Sequence, residues 1–231
     1  MTKIPNLEEM LKAGMHFGHR TSKWHPKMAP FIFTTRNGVH IIDLVKTQKK
    51  LEEALAYLKK QASQGKVILF VGTKSQVKET MKKVAEETGM PYAVESWLGG
   101  CLTNFGVIKK SIRKYNDLLE KKQTGKLDKY TKKERLQIDR EINRLTSKVG
   151  GLANLEKTPD LMFIWDPKND DTALTEAKMK NIPVVAVCDT NVNPTQVDYV
   201  IPSNDDATKS IKMIMNLVKE AVLEGKAEIK K

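Results

Sequence analysis

Histidines near the start of the chain are the first residues whose type could support a functional site. They are His16, His19, His25 and His40. Imidazole nitrogens bind transition metals, and the distant acids Asp189, Asp205 and Asp206 could complete a ligand set because they follow strands or begin a helix. No cysteine or paired carboxylate lies close in sequence, so we predict no metal and no cofactor. An ion near His16, His19 or Asp189 is left open.

A glycine-containing segment, Val71-Gly-Thr-Lys-Ser75, follows the first predicted core strand. Doubly wound sheets bind nucleotides at such positions. The segment has one glycine where the dinucleotide fingerprint needs three, and it lacks the Gly-x-x-x-x-Gly-Lys-Ser/Thr frame of a phosphate loop. No serine has the nucleophile-elbow context of a hydrolase. We therefore predict that the chain is not an enzyme, with a nucleotide-binding enzyme as the competing hypothesis.

Positive charge is concentrated in two segments. The formal net charge is +12. Residues 1–50 carry nine Lys/Arg against three Asp/Glu, residues 105–148 carry fourteen against six, and residues 149–209 are acidic. Lysine and arginine bind polyanions because neutralising phosphates releases condensed counterions. Two basic segments beside an acidic remainder favour a polyanionic partner over lysine-rich helices that are merely soluble.

The first basic segment mixes cations with aromatic residues. Arg20, Lys23 and Lys27 alternate with Phe17, Trp24 and Phe31. Cations suit phosphates, and aromatic planes can stack on exposed bases. Packing explains the aromatic residues equally well, so the lysines and arginines are the stronger candidates for RNA contact.

Composition indicates a globular protein with one main domain and an appendage. Of the 231 residues, 40% are hydrophobic and 29% are charged, and no apolar run approaches the length of a membrane span. The N-terminus lacks the pattern of a secretory signal, which predicts a cytoplasmic location. Cys101 and Cys188 are far apart and without paired spacing, so we expect buried free thiols.

Five short β-type runs alternate with helical segments, which predicts a doubly wound α/β domain with a parallel sheet covered on both faces. The runs span residues 66–71, 91–94, 161–165, 183–188 and 199–201. Helices are predicted over 43–64, 76–88 and 171–180, and from about Asp205-Asp206 onward.

Two pieces lie outside this repeat. Apolar runs at 31–34 and 39–42 flank Asn37-Gly38, a dipeptide typical of a tight β-hairpin turn. Residues 105–149 carry two apolar stripes at helical spacing: Ile108, Ile112, Tyr115, Leu119 and Ile138, Ile142, Leu145, Val149. We predict an antiparallel helical hairpin of coiled-coil type that protrudes on the order of 20 to 25 Å, the alternative being an insertion packed onto the core.

These elements divide the chain into four parts. They are an N-terminal basic loop and β-hairpin (1–42), an α/β core (43–104 and 150–225), a helical hairpin insertion (105–149) and a tail (226–231).

Six motifs occur in an order that is specific to one family. They are residues 14–47, Leu69–Lys74, Trp97–Asn104, Thr131–Glu134, Ile182–Asn191 and Asp198–Ala207. This set resembles the bacterial-type ribosomal protein S2 family of the small subunit, over about residues 6 to 220. The resemblance implies a flavodoxin-like five-stranded sheet with a protruding helical hairpin, on the solvent side of the subunit between head and body.

The resemblance also implies partners. Family members look like late-joining assembly proteins that bind ribosomal RNA and help to dock the messenger-binding ribosomal protein S1. The expected setting is therefore the ribosome in the cytoplasm, with neighbouring small-subunit proteins as further partners and no membrane.

RNA contacts are carried over by position, less securely in the hairpin, where the resemblance is weaker. In the first basic segment they are Arg20, Lys23, Lys27 and Arg36. In the hairpin they are Lys109, Lys110, Arg113, Lys114, Lys121, Lys122, Lys132, Lys133, Arg135 and Arg140.

Overall fold

The computed structural model describes residues 3–127 and 130–229. Positions 128 and 129 of the predicted hairpin turn, and 230 and 231 of the predicted tail, lie outside the described residues. The chain begins with a short helix, α1 (Leu7–Lys12), whose first turn is closed by reciprocal hydrogen bonds between Asn6 and Glu9. This capping box satisfies backbone N–H groups that a helix start leaves open.

A three-stranded antiparallel sheet follows, formed by β1 (Phe17–Arg20), β2 (Ile32–Arg36) and β3 (Val39–Ile42), with β3 in the centre. We call it the N-terminal sheet. The predicted hairpin is β2 and β3, and its turn residues Asn37 and Gly38 have φ of 51° and 72°. Positive φ at both positions is what a tight primed turn requires. The sequence did not predict β1, because its four residues lack an alternating apolar pattern.

The second sheet has five parallel strands, as predicted. They are β4 (Ile68–Val71), β5 (Tyr92–Ala93), β6 (Leu161–Trp165), β7 (Val184–Cys188) and β8 (Tyr199–Pro202), in the spatial order β5-β4-β6-β7-β8. Numbered within this sheet alone, the order is the 2-1-3-4-5 arrangement of the flavodoxin-like fold. The predicted fold class is therefore confirmed.

Helices cover both faces of the parallel sheet. They are α2 (Leu44–Ser63), α3 (Lys78–Thr88), α4 (Phe105–Gln123), α5 (Lys132–Val149), α6 (Asp171–Met179) and α7 (Thr208–Ile229). Alternate strand residues enter separate clusters: Phe70 and Phe163 pack with α2, α3 and α7, while Leu69 and Met162 pack with α6 and the root of α4 and α5. Successive strand side chains point to opposite faces, so each face needs its own cover.

The last helix differs from its predicted bounds at both ends. It begins at Thr208 rather than at Asp205-Asp206 because Asn204 Oδ1 accepts hydrogen bonds from the backbone of Asp206 and Ala207, which turns the chain before the helix. It continues through Ile229, so residues 226–229 are helical although the sequence assigned them to a tail. Lys226 Nζ donates to the Thr88 carbonyl at 2.6 Å.

Helices α4 and α5 form the predicted antiparallel hairpin. Their main contacts are with each other and with the 3-10 turn Gly150–Leu152. The predicted seam is confirmed near its root, where Ile112, Tyr115 and Ile142 are buried and join the second core cluster. At the far end, Leu119 and Ile138 are only partly buried.

A buried carboxylate fixes the loop that leads into this hairpin. Glu176 on α6 is 5% exposed and accepts five hydrogen bonds from the loop before α4. Oε1 accepts from Trp97 Nε1 (3.0 Å) and Gly100 N (2.7 Å), and Oε2 accepts from Leu102 N, Thr103 N and Thr103 Oγ1 (2.9 to 3.1 Å). Burial alone would raise the pKa of Glu176, but these hydrogen bonds outweigh it and lower the pKa below its usual value.

Glu176→Gln should destabilise the protein by about 2 to 4 kcal/mol, because an amide has one acceptor oxygen and leaves buried N–H groups unpaired. The lowered pKa adds a pH signature. The carboxylate stabilises the fold above its unfolded value near 4.5, and this contribution is lost as pH falls through the folded pKa. Urea denaturation at pH 7 and in the acid range measures both effects. The exposed Glu52→Gln is the control, and equal midpoints for the two variants would contradict the anchoring role.

Candidate nucleic-acid interface

The N-terminal sheet presents its predicted cations to solvent. Arg20, Lys23, Lys27 and Arg36 are all exposed. Arg20 at the end of β1 and Arg36 at the end of β2 both lie opposite Val39 of the central strand. Two strand spacings separate them by about 10 Å on one edge of the sheet. Within residues 3–127 and 130–229, Arg20, Lys23 and Arg36 have no ion pair, whereas Lys27 Nζ donates to Thr195 Oγ1 at 3.2 Å.

This sheet is docked on the carboxyl edge of the parallel sheet through Thr190, which follows β7. The Thr190 carbonyl accepts from His25 N, and its Oγ1 accepts from His19 N, both at 2.8 Å. The approach is close at Gly18, where an added Cβ would lie 2.5 Å from Thr190 Cγ2. The position therefore requires glycine for close chain approach.

Three of the four histidines have structural roles, as the packing interpretation predicted. The ring of His16 lies 4.0 Å from that of Phe17, and burial lowers the pKa of His16. His25 Nδ1 accepts from Lys27 N and starts the 3-10 turn Pro26–Phe31. His40 is buried, with Nδ1 3.2 Å from Thr35 Oγ1. His19 differs, because its ring faces carboxylates.

Within the hairpin, two ion pairs join the helices. Lys114 Nζ lies 2.7 Å from Glu141 Oε1, and Lys122 Nζ lies 2.7 Å from Asp139 Oδ1. Hydrogen bonds from Arg144 and Lys114 lower the pKa of Glu141 to about 2. These cations therefore have partners inside the protein in addition to any outside it.

The other predicted hairpin cations fall into two groups. Lys109 Nζ donates to the Glu156 carbonyl at 2.8 Å, and Lys121 pairs with Asp117 at 2.6 Å. No ion pair or side-chain hydrogen bond among the described residues engages a further set, all of it exposed: Lys110, Arg113, Lys132, Lys133 and Arg140. Arg135 is also exposed. We call Lys110, Arg113, Lys132, Lys133 and Arg140 the open cations of the hairpin.

The motif Thr131–Glu134 begins α5. Thr131 Oγ1 accepts from Glu134 N at 3.4 Å, and Glu134 Oε2 accepts from Thr131 N at 2.8 Å. Hydrogen bonds from Thr131 also lower the pKa of Glu134. The motif is thus a capping box, and it sets the helix start at which Lys132 and Lys133 stand.

The carboxyl edge of the parallel sheet is acidic, which argues against the nucleotide hypothesis. Lys74 Nζ lies 2.6 Å from Asp206, 2.9 Å from Asp205 and 3.6 Å from Asp166. Burial opposes the charge of Lys74, but its contacts with Asp206 and Asp205 outweigh it and raise the pKa. Burial and the like charges of Asp189 and Asp166 raise the pKa of Asp205 to about 7. Phosphates would be repelled here.

The structure gives no sign of the thiol chemistry that the sequence discounted. Cys101 and Cys188 are both free and buried, as expected. Burial raises the pKa of Cys101 to about 12 and that of Cys188 well above its usual value, so neither thiol is a nucleophile at neutral pH.

Within the part of the chain that the structure describes, no helix combines the length and the apolar character needed to cross a membrane.

Sequence comparisons identify relatives of this fold. The profile of the family described as Ribosomal protein S2 matches residues 10–225. The chain is 44% identical over 223 residues to the protein named Small ribosomal subunit protein uS2 from Coprothermobacter proteolyticus, an alignment that covers 96% of this chain and 83% of that one. The chain belongs to the ribosomal protein S2 family. It is a structural component of the small ribosomal subunit, with a role in translation, and it is not an enzyme.

Membership in the S2 family gives context to features that the sequence did not predict. Glu176 carries no signal in the sequence, because a single glutamate on a helix does not indicate which loop it will meet. Lys74 belongs to a weak nucleotide motif, yet it is the cation that balances the acidic edge. The aspartates after β6, β7 and β8 are the one available signal, since carboxyl ends of parallel strands share an edge.

Gly18→Ala should weaken docking of the N-terminal sheet and destabilise the S2-family fold by about 1 to 3 kcal/mol, because the added methyl group overlaps Thr190. Thermal unfolding and proteolysis near residue 20 measure the effect. Gly99→Ala is the control, since a methyl group added there would meet no atom within 4 Å beyond its chain neighbours, and the φ of Gly99 is not positive. Equal stability of both variants would show that this close approach does not hold the sheet.

Proposed function

We propose that the chain binds ribosomal RNA through two basic surfaces, one on the N-terminal sheet and one on the helical hairpin. The observation that carries the proposal is the set of open cations on a hairpin whose apolar seam is closed against its partner helix. A charge that no internal carboxylate neutralises remains available to an external phosphate. The contacts of the N-terminal surface are Arg20, Lys23, Lys27 and Arg36.

The mode of recognition is contact with phosphates and with RNA shape. Arginine and lysine on helices suit the backbone, and base sequence contributes less. Lys132 and Lys133 stand at the start of α5, where the helix dipole repels them, so a bound phosphate would relieve an unfavourable placement. Phe33 on β2 is 74% exposed and is the aromatic side chain best placed to stack on an unpaired base.

The hairpin is tested by replacing Lys110, Arg113 and Lys133 with glutamate. We expect association with small subunits to weaken on the order of 10- to 100-fold and its salt dependence to fall by about three contacts. The fold should persist, because these side chains are exposed and Glu is favoured near the start of α5. Co-sedimentation at several salt concentrations, with circular dichroism, measures both properties.

The control is a triple variant with the same change in net charge at Lys178, Lys180 and Lys209, which are exposed on the acidic part of the chain. It should bind nearly as the unaltered protein does. Equal losses in both triple variants would indicate that total charge, and not the hairpin, governs binding.

Family membership supports a second part of the proposal, in which the chain joins the subunit late in assembly, remains ribosome-bound in the cytoplasm and helps to dock ribosomal protein S1. A protein partner favours apolar surface, and α1 offers Leu7 and Leu11, which are 42% and 52% exposed beside the buried Met10. The capping box at Asn6 keeps this helix formed at the surface.

Leu7→Ser with Leu11→Ser should leave the chain on the subunit and reduce the amount of S1 that co-purifies with it severalfold. Quantitative mass spectrometry of purified subunits gives both amounts. Leu223→Ser, at a leucine that is 41% exposed on α7, is the matched control. Unchanged S1 occupancy in the double variant would exclude α1 as the docking surface while leaving RNA binding intact.

A further inference from the structure

The carboxyl edge of the parallel sheet carries more negative charge than its own cations neutralise. Asp166, Asp189 and Asp205 are buried, and Asp206 adds a fourth carboxylate beside them. Lys74 is the ammonium that reaches Asp166, Asp205 and Asp206. Buried carboxylates are normally paired or coordinate a metal, because their desolvation is costly. Four carboxylates with one lysine leave this edge short of positive charge.

Asp205 is the least satisfied of these groups. Its exposed fraction is 0%, and neither of its carboxylate oxygens has a hydrogen bond with any described residue. Lys74 Nζ lies 2.9 Å from Oδ2 as an ion pair, which leaves Oδ1 open. Buried polar atoms are hydrogen-bonded in the great majority of cases, so an open oxygen here calls for a ligand.

His19 adds a nitrogen donor at the same place. One donor atom from each of His19, Asp205 and Asp206 lies within 4.8 Å of the others. Ligands of one zinc ion, each about 2.0 to 2.2 Å from it, are about 3 to 4 Å apart, so side-chain shifts of less than about 1 Å would close the site.

The ring of His19 is already oriented for coordination. Nδ1 lies 3.2 Å from Asp189 Oδ2, and Nε2 lies 3.9 Å from Asp206 Oδ2. A histidine that donates one ring N–H to a carboxylate and coordinates through the other nitrogen is the common arrangement at metal sites. Asn191 Nδ2, 3.3 Å from Nε2, is the group that an ion would displace.

We propose that His19 Nε2, Asp205 and Asp206 bind one divalent transition-metal ion of the zinc type, with Asp189 orienting the His19 ring. An imidazole among carboxylates favours zinc over magnesium, which prefers oxygen donors and retains its waters. The ion would join β1 to the segment after β8 and so fix the N-terminal sheet to the core.

The test uses the full chain without a polyhistidine tag, stripped of metal by a chelator and titrated with Zn²⁺ in a large excess of Mg²⁺. We expect one equivalent to bind and to raise the unfolding midpoint by several degrees. Co²⁺ should give visible absorption bands of a nitrogen- and oxygen-ligated ion. Failure of the folded protein to bind one equivalent of Zn²⁺ would overturn the proposal.

Variants assign the ligands. His19→Gln and Asp206→Asn should each lower zinc affinity at least tenfold, and circular dichroism should show that both remain folded. His25→Gln, at a histidine in the same segment that caps a 3-10 turn, should bind as the unaltered protein does. Unchanged affinity in Asp206→Asn, whose side chain is half-exposed and safe to alter, would place the ion elsewhere and refute the assignment.

Discussion

Burial of both faces of the parallel sheet is the constraint on which the other elements depend. Strands β6 and β7 are buried along their whole length, so neither face can be left to water. Helices α2, α3 and α7 cover one face. The other face has α6 and must borrow the root of the hairpin and the loop before it. Glu176 makes that loan permanent, because five donors from the loop converge on its two oxygens. The insertion is therefore part of the core at one end and a surface at the other.

Charge follows the same division. Carboxylates collect where the parallel strands end, and cations collect on the two elements added to the sheet. In many doubly wound proteins the carboxyl edge binds phosphate. Here Asp166, Asp205 and Asp206 surround the one lysine that could have done so. The fold thus keeps its scaffold while its usual ligand edge serves instead to dock the N-terminal sheet through Thr190.

Sequence patterns predicted the elements whose information is local. The apolar runs gave all five parallel strands, Asn37-Gly38 gave the β-hairpin, and the stripes through Ile112 and Ile142 gave the helical hairpin. What they missed is non-local. Strand β1 exists because it pairs with β3, His19 meets Asp189 across 170 positions of sequence, and the roles of Glu176 and Lys74 depend on contacts that no periodicity encodes. The individual RNA contacts remain predictions for the same reason, since their partner is outside the chain.

The internal ion pairs of the hairpin do not remove its lysines from RNA binding. Lys114 and Lys122 are more than half exposed, and exposed pairs contribute little because water screens both charges. A phosphate that approaches can therefore take over such a lysine at small cost. Before it does, the two pairs hold α4 against α5 at the end where Leu119 and Ile138 are only partly buried. The same cations thus strengthen the weaker part of the seam in the free protein and remain available to a polyanion, whereas the open cations have no internal contact to give up.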